Sequence, residues 1–528
     1  MTGEEGRAQA SKDSRWTGFL VPVIILVLSS FATIILAKTD ILKDIVLEKL
    51  AISNGSVFYD MWIRSPVEPL LKVHIFNYTN LEAVENGRDK KFKVEEIGPY
   101  TYREITEKVN VVFNNDGTVT YQENRSYVFV PEMSAGSEDD VVVSPKITMI
   151  SAAALLPSMN LLMYFATSLV LHTSPTFLRQ SAHDFLWVGD NELLTMGAKI
   201  MEGKPFGDFG IFSSRTGLSK HRITVNTGSL DVTKLGVVSR LDNRVSLGAW
   251  GNAECDRIDG STGTLFPAAA VSPSSTLYVF NPDLCRRFPL TFQRHVQVPT
   301  IHTSSMLFLL DPDLCRRFPL TFQRHVQTRS GVQALRFEVP RDVFETPGRN
   351  PSNECFCRDE PAACRAGVFD ISPCTLGAPI VLSFPHFSLG DPALREVVDG
   401  LQPDSSKHHT FVDVHESLGI PLAAKFRFQI NVAIQKDTDM VLKEFQEGAI
   451  VPIIWFELGV AQLPDQLERL MYHVTFSLLR VQLLLCAAGA VAAAASAVCA
   501  VRRARELAAA RRRSGAALLG SFSLRRPA

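Results

Sequence analysis

The chain has 528 residues and a formal net charge of -1, from 54 basic and 55 acidic side chains. That balance excludes a nucleic-acid binder working through a global basic field, and an apolar share of 46% excludes a disordered chain. Charge is local instead: after Val501 come Arg502, Arg503, Arg505, Arg511, Arg512, Arg513, Arg525 and Arg526, against Glu506 alone.

A short N-terminal segment, 1–16, carries Arg7, Lys12 and Arg15. Thr17 to Ala37 follows as 21 residues without a formal charge, enough helix to cross about 30 Å of hydrocarbon. A cleaved signal peptide has an apolar region of about 7–15 residues and a small-residue cleavage site. This run is longer and ends Ile34-Ile35-Leu36-Ala37-Lys38, so it is expected to stay as an anchor.

Beyond it, Asp44–Asn54 has helical character. Leu71, Val73 and Ile75 then alternate with Lys72 and His74, the period of a half-buried strand. Val109–Phe113 and Thr118–Tyr121 flank Asn114-Asn115-Asp116-Gly117, a hairpin signal. Sequons of the Asn-x-Ser/Thr type stand at Asn54, Asn77 and Asn124, all on the expected outer side.

Ile147–Leu171 is a third charge-free run. Were it a span, the Arg-rich tail would lie outside and the cysteine cluster inside, against the positive-inside rule and redox logic. Pro157 and Asn160 also interrupt it. It is therefore expected to form apolar helices of the ectodomain.

Seven of the nine cysteines fall between positions 255 and 374. A zinc site uses Cys-x(2–4)-Cys pairs, whereas Cys355 and Cys357 are one residue apart, so disulfides are the expected chemistry. Asp283–Gln297, DLCRRFPLTFQRHVQ, recurs unchanged at Asp313–Gln327. Solenoid repeats recur three or more times and drift; a single identical copy reads as a duplicated exon or a faulty gene model. Cys285 and Cys315 are then copies of one position, and one of them lacks a partner.

Leu335, Phe337 and Val339 suggest a strand. Phe426, Phe428, Ile430, Val432 and Ile434 alternate with Arg427, Gln429, Asn431, Ala433 and Gln435 as another, and Thr438–Gln446 reads as helix. The second span is Val481–Val501, closed by the Arg block. Its Ala487, Ala488, Gly489, Ala490 and Ala492–Ala495 allow close helix approach, either as a plain anchor or in self-association.

Taken together the chain is expected to be α+β, its sheet curled into an antiparallel barrel. Segment 1–16 and tail 502–528 are cytoplasmic. Spans 17–37 and 480–501 enclose an ectodomain, 38–479, with head helices at about 147–200 and a disulfide module at 255–374.

Ordered motifs then point to a family. Glu96-Ile97-Gly98-Pro99-Tyr100-Thr101-Tyr102-Arg103-Glu104 is the most specific; Val73-His74-Ile75-Phe76-Asn77-Tyr78-Thr79-Asn80 precedes it. Trp250, Cys255-Asp256-Arg257-Ile258-Asp259-Gly260-Ser261, Asn353-Glu354-Cys355-Phe356-Cys357, Ser383-Phe384-Pro385-His386-Phe387 and Val451-Pro452-Ile453-Ile454-Trp455-Phe456-Glu457 follow in order. The chain resembles the class B scavenger receptor family, which includes the fatty-acid translocase, the lysosomal integral membrane proteins and the insect sensory neuron membrane proteins.

The resemblance implies disulfides Cys255–Cys355, Cys357–Cys364, and Cys374 with Cys285 or Cys315. It also implies an apolar tunnel through the barrel and a helical head that captures ligand. Tyr164, Phe165, His172, Phe177, Arg179 and His183 are the head residues expected to meet lipid, fatty acid, sterol ester or lipoprotein, the charged ones attracting anionic heads. The expected place is the plasma membrane, with the lysosomal membrane second; the rival role is a sensory-type or lysosomal trafficking receptor for odorant or protein cargo. No catalytic motif of the Gly-x-Ser-x-Gly, His-Glu-x-x-His or phosphate-loop type is present, so no enzyme, cofactor or metal is expected. A two-span channel is disfavoured because the second span offers few polar groups beyond Gln482 and Ser496.

Overall fold

The computed structural model describes residues 2–522 apart from 40, 190–209, 254, 263, 268–270, 272–276, 282–285, 291–320, 328–332, 358–363, 376, 405–406, 416–417, 435–444, 446–447, 460–468 and 470. It separates into two compact units, one of residues 1–46 with 469–528 and one of Leu47–Glu468.

The first unit is a pair of long helices. Helix α1 runs Thr2–Lys38 and the last helix of the chain runs Leu478–Phe522. Within them Thr17–Lys38 and His473–Arg513 are long and apolar enough to cross a membrane. The helices touch at small and polar residues. Gln482 Nε2 donates to the carbonyl of Leu36 at 2.6 Å, and Gly489 faces Thr33 so closely that a Cβ there would strike the Thr33 hydroxyl. Glycine lets the two backbones approach. This small residue of the second span is thus used against α1 of the same chain.

The second unit is α+β. It opens with α2 (Ile41–Lys49, shared at its start with the first unit) and α3 (Val57–Ile63), the latter capped by Ser56 accepting from the Tyr59 N–H at 3.0 Å. Strand β1 (Leu70–Tyr78) pairs antiparallel with β2 (Phe92–Phe113), a short helix α4 (Leu81–Glu85) lying between them in sequence. Strand β2 turns into β3 (Thr118–Phe129) through the expected hairpin. Gly117 takes φ 73° there and Asp116 Oδ1 accepts the Thr118 N–H at 3.2 Å.

A two-stranded ribbon, β4 (Val141–Pro145) with β5 (Phe177–Ser181), brackets α5 (Ile147–Leu155) and α6 (Leu161–Thr173). The main sheet continues from β3 through β6 (Gly217–Leu218), β7 (Ile223–Asn226), β8 (Val237–Leu241), β9 (Gly260–Ser261), β10 (Leu277–Asn281) and β11 (Arg286–Leu290). On the other side β1 pairs with β19 (Ile450–Gly459), and β19 with β18 (Pro421–Ala433). Strand β18 carries β17 (Phe411–Val414) and β15 (Ile380–Ser383) on its far edge. Strand β17 leads to β13 (Gln333–Glu338) and β12 (Thr321–Gln327), β15 to β14 (Val368–Asp370). A short β16 (Val398–Asp399) runs parallel to the start of β2.

The core lies on one face of this sheet: Leu71, Val73, Ile75, Phe428 and Val432 are fully buried, with Phe456 beside them. The expected helix over Thr438–Gln446 lies outside the described residues except for Phe445, which packs into this core. The strands at Leu71–Ile75, Leu335–Val339 and Phe426–Ile434 form where the alternation places them. One expectation changes: β18 is not half-buried, since Arg427, Gln429 and Asn431 on its polar face are also buried. The segment after β15 covers that face, which the strand's own pattern does not reveal.

Candidate functional site

The apolar run Ile147–Leu171 folds as two helices broken at the residues that interrupt it. Pro157 sits in a 3-10 turn, Leu156–Ser158, and Asn160 restarts the chain as an N-cap, its side chain accepting from the Met163 N–H at 3.0 Å. The two helices then have different fates. Helix α5 buries Met149, Ile150 and Ala153 in the main core, whereas α6 buries Leu171 alone. Leu161, Leu162, Phe165 and Leu169 share one face of α6 and are 72%, 79%, 63% and 69% exposed. Tyr164 stands beside them, its ring edge-on to Phe165. Four large apolar side chains thus stand together in the open on one helix face, where monomeric soluble proteins seldom leave them grouped.

Of the expected head residues the structure brings Tyr164, Phe165 and exposed His172 together on α6. Arg179 is exposed on β5, and His183 lies 3.1 Å from Glu138, so a charge on this ring is neutralised by its neighbour. Phe177 stands apart from α6. The helical segment ends at Thr173, and Phe177 begins β5 with its ring packed against Tyr78, Phe92 and Phe445 of the body. The remainder of the expected head, 190–200, lies outside the described residues.

Besides the buried face of α5, a polar clamp ties the head to the sheet: Asn77 Oδ1 accepts the Val143 N–H of β4 at 2.8 Å. This residue entered the sequence reading as a sequon and as part of the Val73–Asn80 motif, not as a clamp. The two roles separate by mutation. Thr79→Ala removes the sequon and leaves the clamp, sacrificing one exposed, long hydrogen bond of 3.3 Å. Asn77→Ala removes both. Both variants are expected to lose the same glycan on a mobility gel, but Asn77→Ala alone lowers the thermal midpoint, by the loss of about 0.5–1.5 kcal/mol. Equal midpoints would leave the clamp without an energetic role. Asn54 and Asn124, the other sequons, are exposed.

Cys255 is bonded to Cys355 and Cys357 to Cys364. Cys374 is also disulfide-bonded; Cys285 and Cys315 lie outside the described residues. Cys486 and Cys499 are free. Asp256 braces the first bridge by accepting the N–H groups of Ala249, Trp250 and Asn252 at 2.8, 2.9 and 3.2 Å. A cavity of about 10 Å³ beside Cys357 and Cys364 holds a water-sized volume and no acyl chain. Among the described residues no cluster of His, Cys, Asp and Glu is arranged to hold a metal.

A second concentration of polar groups, missed in the sequence, lies on the covered face of the sheet. Glu96 of the most specific motif meets His74 and His386 there, with His408 and Trp455 against them. No periodic signal links these five positions; His74, Glu96, His386 and Trp455 each stand in one of the quoted motifs, but the motifs do not say that they meet, and His408 stands in none of them.

Comparison with known proteins agrees across the chain. The CD36 family model matches residues 20–305 and 298–503, two stretches that meet inside the duplicated region. Scavenger receptor class B member 1 of Rattus norvegicus is 31% identical over 455 residues, covering 85% of this chain and 81% of the relative. Lysosome membrane protein 2 of Rattus norvegicus is 27% identical over 420 residues, 79% and 80% of the two. Matches to both ends of the chain, in motif order and over both terminal helices, place it: the chain belongs to the CD36 family.

Proposed function

We propose that this chain is a scavenger-receptor-like receptor of the plasma membrane that takes lipid or lipoprotein ligand on α6 and passes lipid through the ectodomain to the bilayer. The observation that carries the reading is the exposed face of Leu161, Leu162, Phe165 and Leu169, which no other described element covers. Such a face gains about 1.5–3 kcal/mol for each large side chain it buries in a lipid particle. Similarity to scavenger receptor class B member 1 supports the same direction. Transfer needs no covalent step, since acyl surface moves from one apolar phase to another.

A lysosomal trafficking role is the second reading, favoured by the similarity to lysosome membrane protein 2. The tail does contain Leu518-Leu519, but Ser514 stands where an acidic residue would precede a dileucine sorting signal.

The test is uptake of labelled sterol ester from lipoprotein by cells expressing the full chain. The double variant Leu162→Asp with Phe165→Asp is expected to lose at least about tenfold in uptake, from two desolvated side chains, with unchanged surface expression. Undiminished uptake would remove α6 from ligand capture. A chain that stays in lysosomes and takes up no lipid would favour the trafficking role.

A further inference from the structure

The cover over the polar face of the sheet is the segment from Pro385 to His408. Phe387 and Leu394 in it bury against Val368, Val381 and Ile450, a small apolar cluster apart from the main core, whereas Val398 joins the main core and β16 stays paired with the start of β2. The segment's backbone starts under strain: His386, Phe387 and Leu389 have φ of 54°, 52° and 64°, the left-handed region that side chains with a Cβ disfavour. The strained stretch before β16 and the stretch from Gly400 to Asp404 after it are the parts of the segment able to open while β16 holds.

Imidazoles hold it down. Glu96 on β2 places Oε2 2.8 Å from His386 Nε2 and Oε1 2.7 Å from His74 Nδ1, the second contact close but off the hydrogen-bond angle. His386 Nδ1 accepts the N–H of Gln402 at 3.1 Å, and His408 Nδ1 accepts the N–H of Asp404 at 3.2 Å. The His386 and His408 rings stack at 4.9 Å, while His74 stacks on Trp455 at 3.8 Å. An imidazole nitrogen that accepts a proton donor must be unprotonated. Adding a proton at either Nδ1 sets N–H against N–H and places a charge one ring away from a second histidine.

We propose that this clasp is an acid-operated latch: neutral His408, bonded to the Asp404 N–H and stacked on His386, holds the Pro385–Asp404 segment on the sheet, and protonation of His408 loosens it. The charged and titratable groups facing His408 are His386 and Asp404 of the segment itself, Glu96 of β2 and Arg427 of β18, with His74 of β1 beyond Glu96. Burial, then His386 and Arg427, push His408 down to about 4, against the pull of Glu96 and Asp404. Burial alone would raise Glu96, but its contacts with His386 and His74 hold it far below the ordinary carboxylate range, so it stays charged at mildly acidic pH.

The sign follows from His408. A histidine depressed in the closed state stabilises closure fully above its free value near 6.5, and that stability is lost as pH falls toward 4. The opening constant then rises about tenfold per pH unit inside this window, and roughly 25-fold from pH 7.4 to pH 5.

Hydrogen exchange on the full chain in nanodiscs at both pH values, corrected for intrinsic rates, tests it. Peptides of Pro385–Asp404 on either side of β16 are expected to lose protection by that factor while β16 and the β1–β2 ladder do not. His408→Gln keeps an acceptor for the Asp404 N–H and cannot titrate, so its segment is expected to lose most of that pH response. Equal protection at both pH values, an equal loss in the β1–β2 ladder, or an undiminished pH response in His408→Gln would each overturn the latch. Should that variant fail to fold, the wild-type comparison alone decides.

Discussion

Deleting residues 298–327 is expected to raise the cell-surface yield of this protein severalfold and to lower its free thiols from three per chain to two. The two identical copies do not do the same thing. In the first copy Arg286–Leu290 pairs with β10, and in the second Thr321–Gln327 pairs with β13. These are the fourth to eighth and the ninth to fifteenth positions of one fifteen-residue sequence. Among the described residues each copy therefore supplies a different half, and β11 and β12 are two ends of the described sheet. In a chain with one copy, a single strand RRFPLTFQRHVQ would meet β10 with its first half and β13 with its second. That joins these two edges, and open edges are where chains pair wrongly.

The deletion joins Gln297 to Thr328, the residue that follows the second copy, so no junction sequence is new. It also removes Cys315, leaving Cys285 for Cys374. The break in the family match, at 305 and 298, falls in the same place. Thiol titration under denaturing conditions and surface labelling of cells expressing the full chain check both halves of the expectation. A deletion variant retained in the cell would mean that each copy has its own place in the fold.

Much of the fold was legible because its signals are local. The hairpin at Asn114–Gly117 follows from turn chemistry, and the break between α5 and α6 from Pro157 and Asn160. What failed was long-range. Arg427, Gln429 and Asn431 read as a solvent face, because nothing within β18 announces that a segment some forty residues earlier lies across it. Phe177 was grouped with the head because it follows it in sequence, yet its aromatic neighbours come from β1, β2 and the segment before β19. The apolar character of α6 was plain, but which of its side chains stay in water depends on what α5 covers. Likewise the small residues of the second span were visible, while the partner of Gly489 was not.

Glu123→Gln is expected to destabilise the ectodomain by about 3–5 kcal/mol, the usual result of breaking one side of a buried ion pair. Glu123 is 2% exposed and its Oε2 lies 2.6 Å from Nη2 of Arg125, itself 8% exposed. Around them are two more buried cations. Arg215 lies 3.8 Å from Glu104, whose Oε2 also accepts the Tyr127 hydroxyl at 2.9 Å. Lys108 is held between aromatic rings, its Nζ 5.2 Å from Trp62 and 5.5 Å from Tyr121.

Two carboxylates thus face three cations on β2, β3 and the turn at Arg215, and removing one carboxylate doubles the buried excess of positive charge. Burial alone would raise the Glu123 carboxyl, but Arg125 and Lys108 overcome it and hold it below its ordinary value. A depressed carboxylate stabilises the fold above its free pKa of about 4.3 and loses that contribution as pH falls below it. Wild type should therefore weaken between about pH 5 and pH 3, and Glu123→Gln should show a flatter slope there from a lower starting midpoint. The exposed pair Asp116–Arg240, at 2.8 Å, provides the control: Asp116→Asn is expected to leave the midpoint in place. Thermal denaturation of the two variants at neutral and acidic pH distinguishes them. Equal midpoints would show that the network under Trp62 and Tyr121 holds β2 and β3 no more firmly than a surface ion pair does.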